Sequence, residues 1–324
     1  MNSFGSRRQR GVALLTALLT TALAFILIAS LLDRGELSLA RTRNLLRSEQ
    51  AQAYSAGLES YAAEVLLKSQ TDGAGNDTNN SIWALPLPPQ TVPGGVLTAQ
   101  MRDLNGCFNL NNLQPGAPQQ TSWYSMFQRL LGVREIDPAL ADAIVSWLTI
   151  GGSNSGDNYY LAQPISYRAA NRTFAHVSEL RLVRGVDADI YGRLAPYVCA
   201  LPPGTRLNIN TASVPVLMSL SSGMTQSLAE RIWQNGRANV TDLNQIAQML
   251  LPLGQSIQPV LGLLDIRSGY FLARGEIVLD DVPFTFYSLI ELNAGAGVRV
   301  LARSRGSDDA LIVAALPGGA VAQQ

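Results

Sequence analysis

The longest uninterrupted apolar stretch of the chain lies close to its N-terminus. No charged residue occurs between Gly11 and Asp33, and most of the intervening side chains are aliphatic. About 20 consecutive apolar residues suffice to cross the hydrocarbon core of a membrane as a helix. Because the apolar region of a secretory signal peptide is shorter and ends at a small-residue cleavage site, the pattern predicts a retained transmembrane helix over residues 12–33.

Helix-compatible sequence continues beyond this segment. From Glu36 to Lys68 the chain has no proline and a single glycine, Gly57. Apolar side chains recur at helical spacing along one stripe, formed by Tyr54, Leu58, Tyr61, Ala62 and Val65. The pattern predicts an amphipathic stem helix over residues 34–70 that continues the membrane helix. A separate helix after a break at Gly35 is the alternative.

The first region with strand character covers residues 71–114. It opens with a polar loop and continues through Leu85–Pro89, a proline-rich segment that we expect to be an extended connection. Strands are predicted over Val96–Met101 and Cys107–Leu113, separated by a turn at Asp103–Gly106. We interpret the region as the first strands of a sheet.

The second region with strand character lies near the C-terminus. Over residues 266–310 apolar and polar positions alternate with period two, and Asp280-Asp281 separates two such runs. This pattern predicts an antiparallel meander that closes the sheet. Residues 311–324 are rich in glycine and alanine and are predicted to form a flexible tail.

The middle of the chain, residues 115–265, shows short helices and turns. A weak internal repeat of three helix–turn–helix hairpins has Gly132, Gly185 and Gly223 in its turns. An insertion of this length predicts a domain with its own core. The fold class is therefore predicted as α+β, with a long N-terminal helix packed on an antiparallel sheet and a large all-helical insertion of helix-hairpin-helix, SAM-like units.

Charge and chemistry argue against two broad functions. The chain has 24 basic and 24 acidic residues and no formal net charge, which disfavours duplex nucleic acid as a dominant partner. It has one histidine, His176, and no Walker A, H-E-x-x-H or G-x-S-x-G motif. We therefore predict that the protein is not an enzyme.

The two cysteines, Cys107 and Cys199, are far apart in sequence. Their separation excludes a compact zinc knuckle and a Cys-x-x-Cys redox pair. If the body of the protein lies outside the cytoplasm, a disulfide between them is the natural interpretation. Two free buried thiols are the alternative.

The start of the apolar segment resembles the processing site of type IV pilins and pseudopilins. Basic residues end at Arg10 and are followed by Gly11 and by the apolar run from Val12. In that family a prepilin peptidase cuts after the glycine on the cytoplasmic side of the membrane. The resemblance implies a leader peptide over residues 1–11 and a mature N-terminus at Val12. An ordinary single-pass anchor whose arginines follow the positive-inside rule is the alternative.

Further motifs resemble the K-type minor pseudopilins of bacterial type II secretion systems. They are, in chain order, Asp103–Leu113, Tyr167–Arg172, Ser178–Val183 and Leu207–Ala212. The resemblance covers nearly the whole chain and implies a pilin-like fold. It also implies a place at the tip of the pseudopilus and a part in starting its assembly, for protein export across the outer membrane.

The fifth mature position departs from the usual pattern of this family. Most members carry glutamate there, and its carboxylate is thought to pair with the N-terminal amine of a neighbouring subunit. Here the position is Thr16. Because a hydroxyl cannot neutralise a buried amine and an unpaired buried charge is costly, we expect a subunit with nothing above it. The bulky insertion also favours the tip over the filament shaft.

The resemblance implies a set of partners and a location. The expected partners are the I-, J- and H-type minor pseudopilins, the prepilin peptidase, the inner-membrane assembly platform and secreted substrates, with no nucleic acid. The expected location is the bacterial inner membrane, crossed once, with a cytoplasmic N-terminus and a periplasmic body.

Members of this family often bind calcium in the insertion. The matching stretch here retains the carboxylate of Asp157 and neutral oxygens such as that of Asn154. Calcium takes six to eight oxygen ligands, several of them charged. A single carboxylate therefore predicts a weak calcium site, and a solvated loop is the alternative.

A membrane-anchored DNA-binding protein of a competence or type IV pilus machine is the competing function. The hairpin at Gly223, preceded by Asn208–Ala212, resembles helix-hairpin-helix DNA-binding modules, whose hairpins approach phosphates and need flanking Lys or Arg. Those cations are missing around Gly223. We therefore interpret the hairpin as a scaffold unit in which Asn210 and Thr211 cap a helix.

Overall fold

The computed structural model describes residues 6–72, 75–149, 157–251, 257–293, 295 and 297–305. The chain divides into two compact units at Tyr54. In chain order the helices are α1 (Ser6–Asp72), α2 (Gln120–Val133), α3 (Leu140–Leu148), α4 (Asp157–Leu161), α5 (Ala188–Leu194), α6 (Val214–Met218), α7 (Gln226–Trp233) and α8 (Leu243–Leu250). The strands are β1 (Leu87–Val92), β2 (Gly95–Asp103), β3 (Phe108–Asn109), β4 (Val198–Cys199), β5 (Leu207–Asn208), β6 (Leu264–Asp265), β7 (Tyr270–Leu279), β8 (Val282–Asn293) and β9 (Gly297–Arg305).

Helix α1 contains 67 residues and passes through Gly35 without a break, so the alternative of two separate helices is wrong. Its apolar side chains before Asp33 are exposed, with Leu14 at 67% and Phe25 at 73%. Within the described residues, α1 is the single helix long and apolar enough to cross a membrane, and its most apolar window has a mean hydropathy of 2.5. An exposed apolar surface of this length fits a lipid environment.

The main sheet has the order β1-β2-β7-β8-β9, and all neighbouring strands run antiparallel. Strands β7 and β8 form the predicted hairpin, in which Leu279 pairs with Val282. The two turn residues, Asp280 and Asp281, have φ of 45° and 64°. Positive φ at both positions gives the turn a twist that matches the flanking strands.

One face of the sheet packs on the C-terminal part of α1. Met101, Phe271 and Ile290 of the sheet form a buried cluster with Ala62 and Leu66 of the helix. Tyr61 of the predicted stripe is instead 45% exposed. The helix approaches the sheet closely at Gly275, where an added Cβ would lie only 2.6 Å from Leu58 Cδ1.

A charged group fixes the same helix on the sheet. Glu59 accepts a hydrogen bond from Ser288 Oγ at 2.6 Å and two from Arg303, at 2.7 Å from Nε and 2.8 Å from Nη2. Ser288 and Arg303 are directly opposite on β8 and β9. Burial opposes ionisation, yet these hydrogen bonds and the charge of Arg303 lower the pKa of Glu59.

Two sequence-based predictions of strands are wrong. The proline-rich stretch at Leu85–Pro89 was expected to be a connection, but β1 begins at Leu87. A proline has no backbone N–H to donate to a neighbouring strand. Prolines are tolerated in β1 because it is an edge strand with a neighbour on one side only. The strand predicted over Cys107–Leu113 covers only Phe108–Asn109 and is followed by a 3₁₀ helix, Leu110–Leu113, whose first turn is capped by the Asn109 side chain.

The helical domain has its own large apolar core, to which Phe127, Ile144 and Leu217 belong. Its first and third predicted hairpins are α2–α3 and α6–α7, whereas the first arm of the second is a 3₁₀ helix, Val177–Leu182. The predicted α+β class is confirmed: a long N-terminal helix, an antiparallel sheet, and a mainly helical domain inserted between β2 and β7. The insertion is not all-helical as predicted, because two short parallel strand pairs, β3 with β4 and β5 with β6, join its segments.

Candidate functional site

The helical domain joins the sheet through a buried carboxylate at the end of β2. Asp103 Oδ2 accepts hydrogen bonds from Thr211 Oγ1, from Ser268 Oγ at 2.6 Å and from Asn208 Nδ2 at 3.3 Å. Its other oxygen accepts from the Asn105 backbone N–H at 2.7 Å. One side chain therefore holds together the point where the chain leaves the sheet, the point where it returns and the loop after β5.

Buried asparagines continue this network. Asn105 Oδ1 accepts from the backbone N–H of Tyr270 at 2.9 Å and of Gly269 at 3.1 Å, and its Nδ2 donates to Arg206 O at 3.0 Å. Asn210 Oδ1 and Nδ2 pair with the backbone N–H and carbonyl of Val240, at 2.7 and 3.0 Å. These amides satisfy buried backbone groups where no strand partner is present.

The predicted helix cap at Asn210 and Thr211 is wrong. Helix α6 begins after Ser213, whose side chain makes no capping hydrogen bond. The Asn210 side chain is hydrogen-bonded to Val240 and the Thr211 side chain to Asp103. The loop that carries Asn210 is buried and does not lie exposed at a helix end. Tertiary contacts have taken the groups that a cap would have used.

Burial raises the pKa of Asp103 to about 6, although hydrogen bonds from Ser268, Thr211 and Asn105 favour the charged form. The charge of Asp77 adds to the upward shift. The carboxyl group is fully buried, so its ionisation is linked to the stability of the domain junction.

The cysteines are brought together at the same junction. Cys107 Sγ donates to Leu104 O at 2.8 Å, and Cys199 Sγ lies 3.3 Å from Leu104 O and 3.5 Å from Cys107 O. Both are buried thiols in this structure. Burial raises the pKa of the Cys199 thiol, and the neighbouring Cys107 adds to this shift. The disulfide between Cys107 and Cys199 stays a prediction.

A glycine allows the junction to close. A Cβ added at Gly106 would lie 2.6 Å from Thr211 O and 2.8 Å from Thr211 C. These are backbone atoms, so no side-chain rotation would relieve the contact. Gly106 therefore places the turn after β2 directly on the loop that carries Thr211.

The predicted processing and assembly residues lie on α1. Gly11 and Val12 are both within the helix. Thr16 Oγ1 donates to Ala13 O at 3.0 Å, as Thr20 Oγ1 does to Ala17 O at 2.9 Å. The hydroxyl at the predicted fifth mature position is therefore satisfied within its own helix.

The predicted calcium ligands cannot be placed as a site. Asn154 lies outside the described residues, and Asp157 begins α4 with a side chain that is not described. Within the described part of the chain, no group of three or more His, Cys, Asp or Glu side chains is arranged to hold a metal ion. The calcium site stays a prediction.

The hairpin at Gly223 is held by an arginine that the sequence reasoning missed. Arg129 of α2 donates from Nε to Ser219 O at 2.6 Å and from Nη2 to Leu220 O at 3.2 Å. This cation is used within the domain. The lone histidine is also structural, since His176 forms a capping box with Glu179 at the start of a 3₁₀ helix.

The fold and these sites define a class of protein, in which a membrane-anchoring helix continues into the stem of a pilin-like sheet that carries a helical domain. Residues 106–203 match the profile of a protein family described as "Type II secretion system (T2SS), protein K". The type II secretion system protein K of Pseudomonas aeruginosa is 34% identical over 93% of this chain and 94% of its own length. The chain belongs to this family.

Two further comparisons agree. The type II secretion system protein K of Pectobacterium carotovorum is 31% identical over 92% of this chain and 97% of its own length. A chain in the crystal structure of the GspK-GspI-GspJ complex from the enterotoxigenic Escherichia coli type 2 secretion system superposes with a TM-score of 0.73. It is 29% identical, and the match covers 82% of this chain and 99% of that one.

Proposed function

We propose that this minor pseudopilin of type II secretion occupies the tip of the pseudopilus and helps to start its assembly. The observation that carries the proposal is the combination of an exposed apolar helix with a broad helical domain between β2 and β7. The helix supplies the surface for packing beside other subunits. A shaft needs slim, repeating subunits, and the large inserted domain disfavours a place in it.

The proposal includes processing and location. A prepilin peptidase cuts after Gly11 and leaves Val12 as the N-terminus. The helix then crosses the inner membrane once, with the N-terminus in the cytoplasm and the body in the periplasm. The exposed apolar side chains from Val12 to Leu32 support membrane insertion. In this role the chain acts by assembly and not as an enzyme.

The proposed partners follow from the related complex. The matched chain is part of a complex with GspI and GspJ, so we propose that this chain binds the I- and J-type minor pseudopilins, with the H-type below them. The inner-membrane assembly platform then extends the pseudopilus. Contact with secreted substrates or with the outer-membrane channel belongs to the same proposal.

Thr16 provides the test. A Thr16→Glu variant supplies a carboxylate at the fifth mature position and is expected to let the chain enter assemblies beneath another subunit. Thr20→Glu is the matched control, because Thr20 makes the same type of hydrogen bond one turn further along the helix. Chemical cross-linking in cells that overproduce the secretion system measures the assemblies. Equal cross-linking patterns for the two variants would contradict the tip position.

The DNA-binding alternative finds no support in the hairpin. Arg129, which contacts the hairpin, donates to the carbonyls of Ser219 and Leu220. Retention of the chain on DNA at moderate salt, without a stable complex with the I- and J-type subunits, would favour the alternative.

A further inference from the structure

A cleft of about 530 Å³ lies between the main sheet and the helical domain. Its volume falls within the range of roughly 300–1,000 Å³ that is common for ligand sites. Its lining includes the end of β2 with the neighbouring part of β7, and Tyr197 and Trp233 of the helical domain.

Three arginines give the cleft its charge. Gln100 pairs with Arg274, and Arg102 pairs with Leu272, so the two arginines emerge from the same face of the sheet. Arg237 approaches from the segment after α7. Arg274 is bound to Glu276 at 3.0 Å. Among the described residues, the side chains of Arg102 and Arg237 have no hydrogen-bond or ion-pair partner.

Arg102 is the more informative of these two arginines. Its side chain lies partly buried on a paired strand, and its Nη1 is buried with no acceptor in the described part of the chain. A buried charged donor without an acceptor is costly, and such groups are rare. Arg102 therefore brings to the cleft lining a positive charge that no acceptor in the described part of the chain pairs with.

Among the described contacts, Asp103, the acidic residue that lines the cleft, makes no ion pair with these arginines. Asp103 directs its oxygens to Thr211, Ser268, Asn208 and the Asn105 backbone N–H. These four donors all belong to the domain junction. The cleft therefore presents guanidinium groups beside aromatic side chains. A ligand that matches it carries both carboxylates and apolar groups.

The end of β2, which lines the cleft, has a strand partner on one side. Strand β1 pairs with β2 only as far as Leu87 opposite Ala99. Beyond that point, residues 100–103 of β2 are paired on the β7 side, and no strand of the described chain pairs on the other side. The 3₁₀ helix Ile82–Ala84 contacts β2, and Trp83 is buried beside Met101, so a bound segment lies within the cleft and is not an added strand of the sheet.

We propose that this cleft binds an extended acidic peptide segment of a second polypeptide. The carboxylates of the segment are held by Arg102, Arg237 and Arg274, and its apolar side chains lie against Trp233 and Tyr197. This binding does not depend on the position of the chain within a pseudopilus.

The test uses the full chain in detergent micelles and a fluorescein-labelled octapeptide of alternating glutamate and leucine. Fluorescence anisotropy at low salt measures binding, and the octapeptide with glutamine in place of glutamate is the control probe. The acidic peptide is expected to bind saturably and the glutamine peptide at least about tenfold more weakly, because the arginines engage carboxylates.

Two charge reversals in the same region locate the binding. Arg237→Glu places a negative charge in the cleft and is expected to weaken binding at least about tenfold. Arg231→Glu makes the same change on exposed α7 outside the cleft lining and is expected to alter binding by less than about twofold. Both positions are exposed, so both variants should keep the wild-type unfolding temperature.

Any of three results would overturn the proposal. The first is the absence of saturable binding of the acidic peptide. The second is equal binding of the glutamine peptide, which would exclude recognition of carboxylates. The third is equal weakening by Arg231→Glu and Arg237→Glu, which would indicate attraction by the overall charge and not by this cleft.

Discussion

Replacement of Asp103 by asparagine tests how the helical domain is joined to the sheet. The pKa of Asp103 is raised from 3.8 to about 6 by burial. The folded chain holds this proton more tightly than the unfolded chain. The protonated Asp103 carboxyl group therefore adds its full stabilising contribution below about pH 4, and this contribution is lost as the pH rises through about 6. At 1.36 kcal/mol per unit, the loss amounts to about 3 kcal/mol.

Asp103→Asn removes this pH dependence but also removes an acceptor. An amide has one oxygen, so it cannot serve both the Asn105 backbone N–H and the donors from Thr211, Ser268 and Asn208. The variant is expected to be less stable than the wild type at pH 4, by about 1–3 kcal/mol. By pH 7 its relative stability should rise by about 3 kcal/mol, because it escapes the cost of ionisation.

Urea unfolding of the full chain in detergent micelles, followed by tryptophan fluorescence between pH 4 and pH 7, measures this difference. The stability curves of wild type and variant should converge or cross within that range. Parallel curves would refute the reasoning, because they would show that Asp103 does not titrate between these pH values in the folded protein.

Two further predictions concern the same junction. Gly106→Ala should lower the unfolding free energy by about 2 kcal/mol or more, because its Cβ would meet backbone atoms at 2.6 Å. Gly132→Ala, with nothing within 4 Å of its Cβ, should be neutral or stabilising by up to about 1 kcal/mol in the same urea titration, because alanine favours the helix. If Cys107 and Cys199 form a disulfide in the periplasm, intact mass spectrometry without reductant will show the loss of two hydrogens. Cys107→Ser should then cost up to about 4–5 kcal/mol of stability relative to the oxidised wild type, and an unchanged mass would contradict the bond.

Local sequence patterns were sufficient for the parts of the fold that depend on local physics. The unbroken helical periodicity and absence of proline led to α1, and two consecutive aspartates marked the turn between β7 and β8. Propensity was misleading for β1, because an edge position tolerates proline that an inner strand would exclude. Cys107–Leu113 has several apolar residues and was predicted as a strand, but the Asn109 side chain caps a 3₁₀ helix there.

The domain junction could not be predicted in the same way. The polar residues of Asp103–Leu113 were visible, but their partners lie about a hundred residues or more away: Asp103 meets Asn208, Thr211 and Ser268. A run of asparagines between apolar residues was the available signal, since buried amides need partners. The sequence did not predict that the arginines line one cleft. Arg102 and Arg237 are far apart in sequence and meet only because the inserted domain folds back beside the sheet.

The most direct test of the account is native mass spectrometry of the complex extracted from membranes of cells that express the chain with its I- and J-type partners and the prepilin peptidase. We expect one copy of the chain, beginning at Val12, bound to one copy of each partner. Two or more copies of the chain in one assembly, or a chain that still carries residues 1–11, would contradict its role as a processed subunit at the tip.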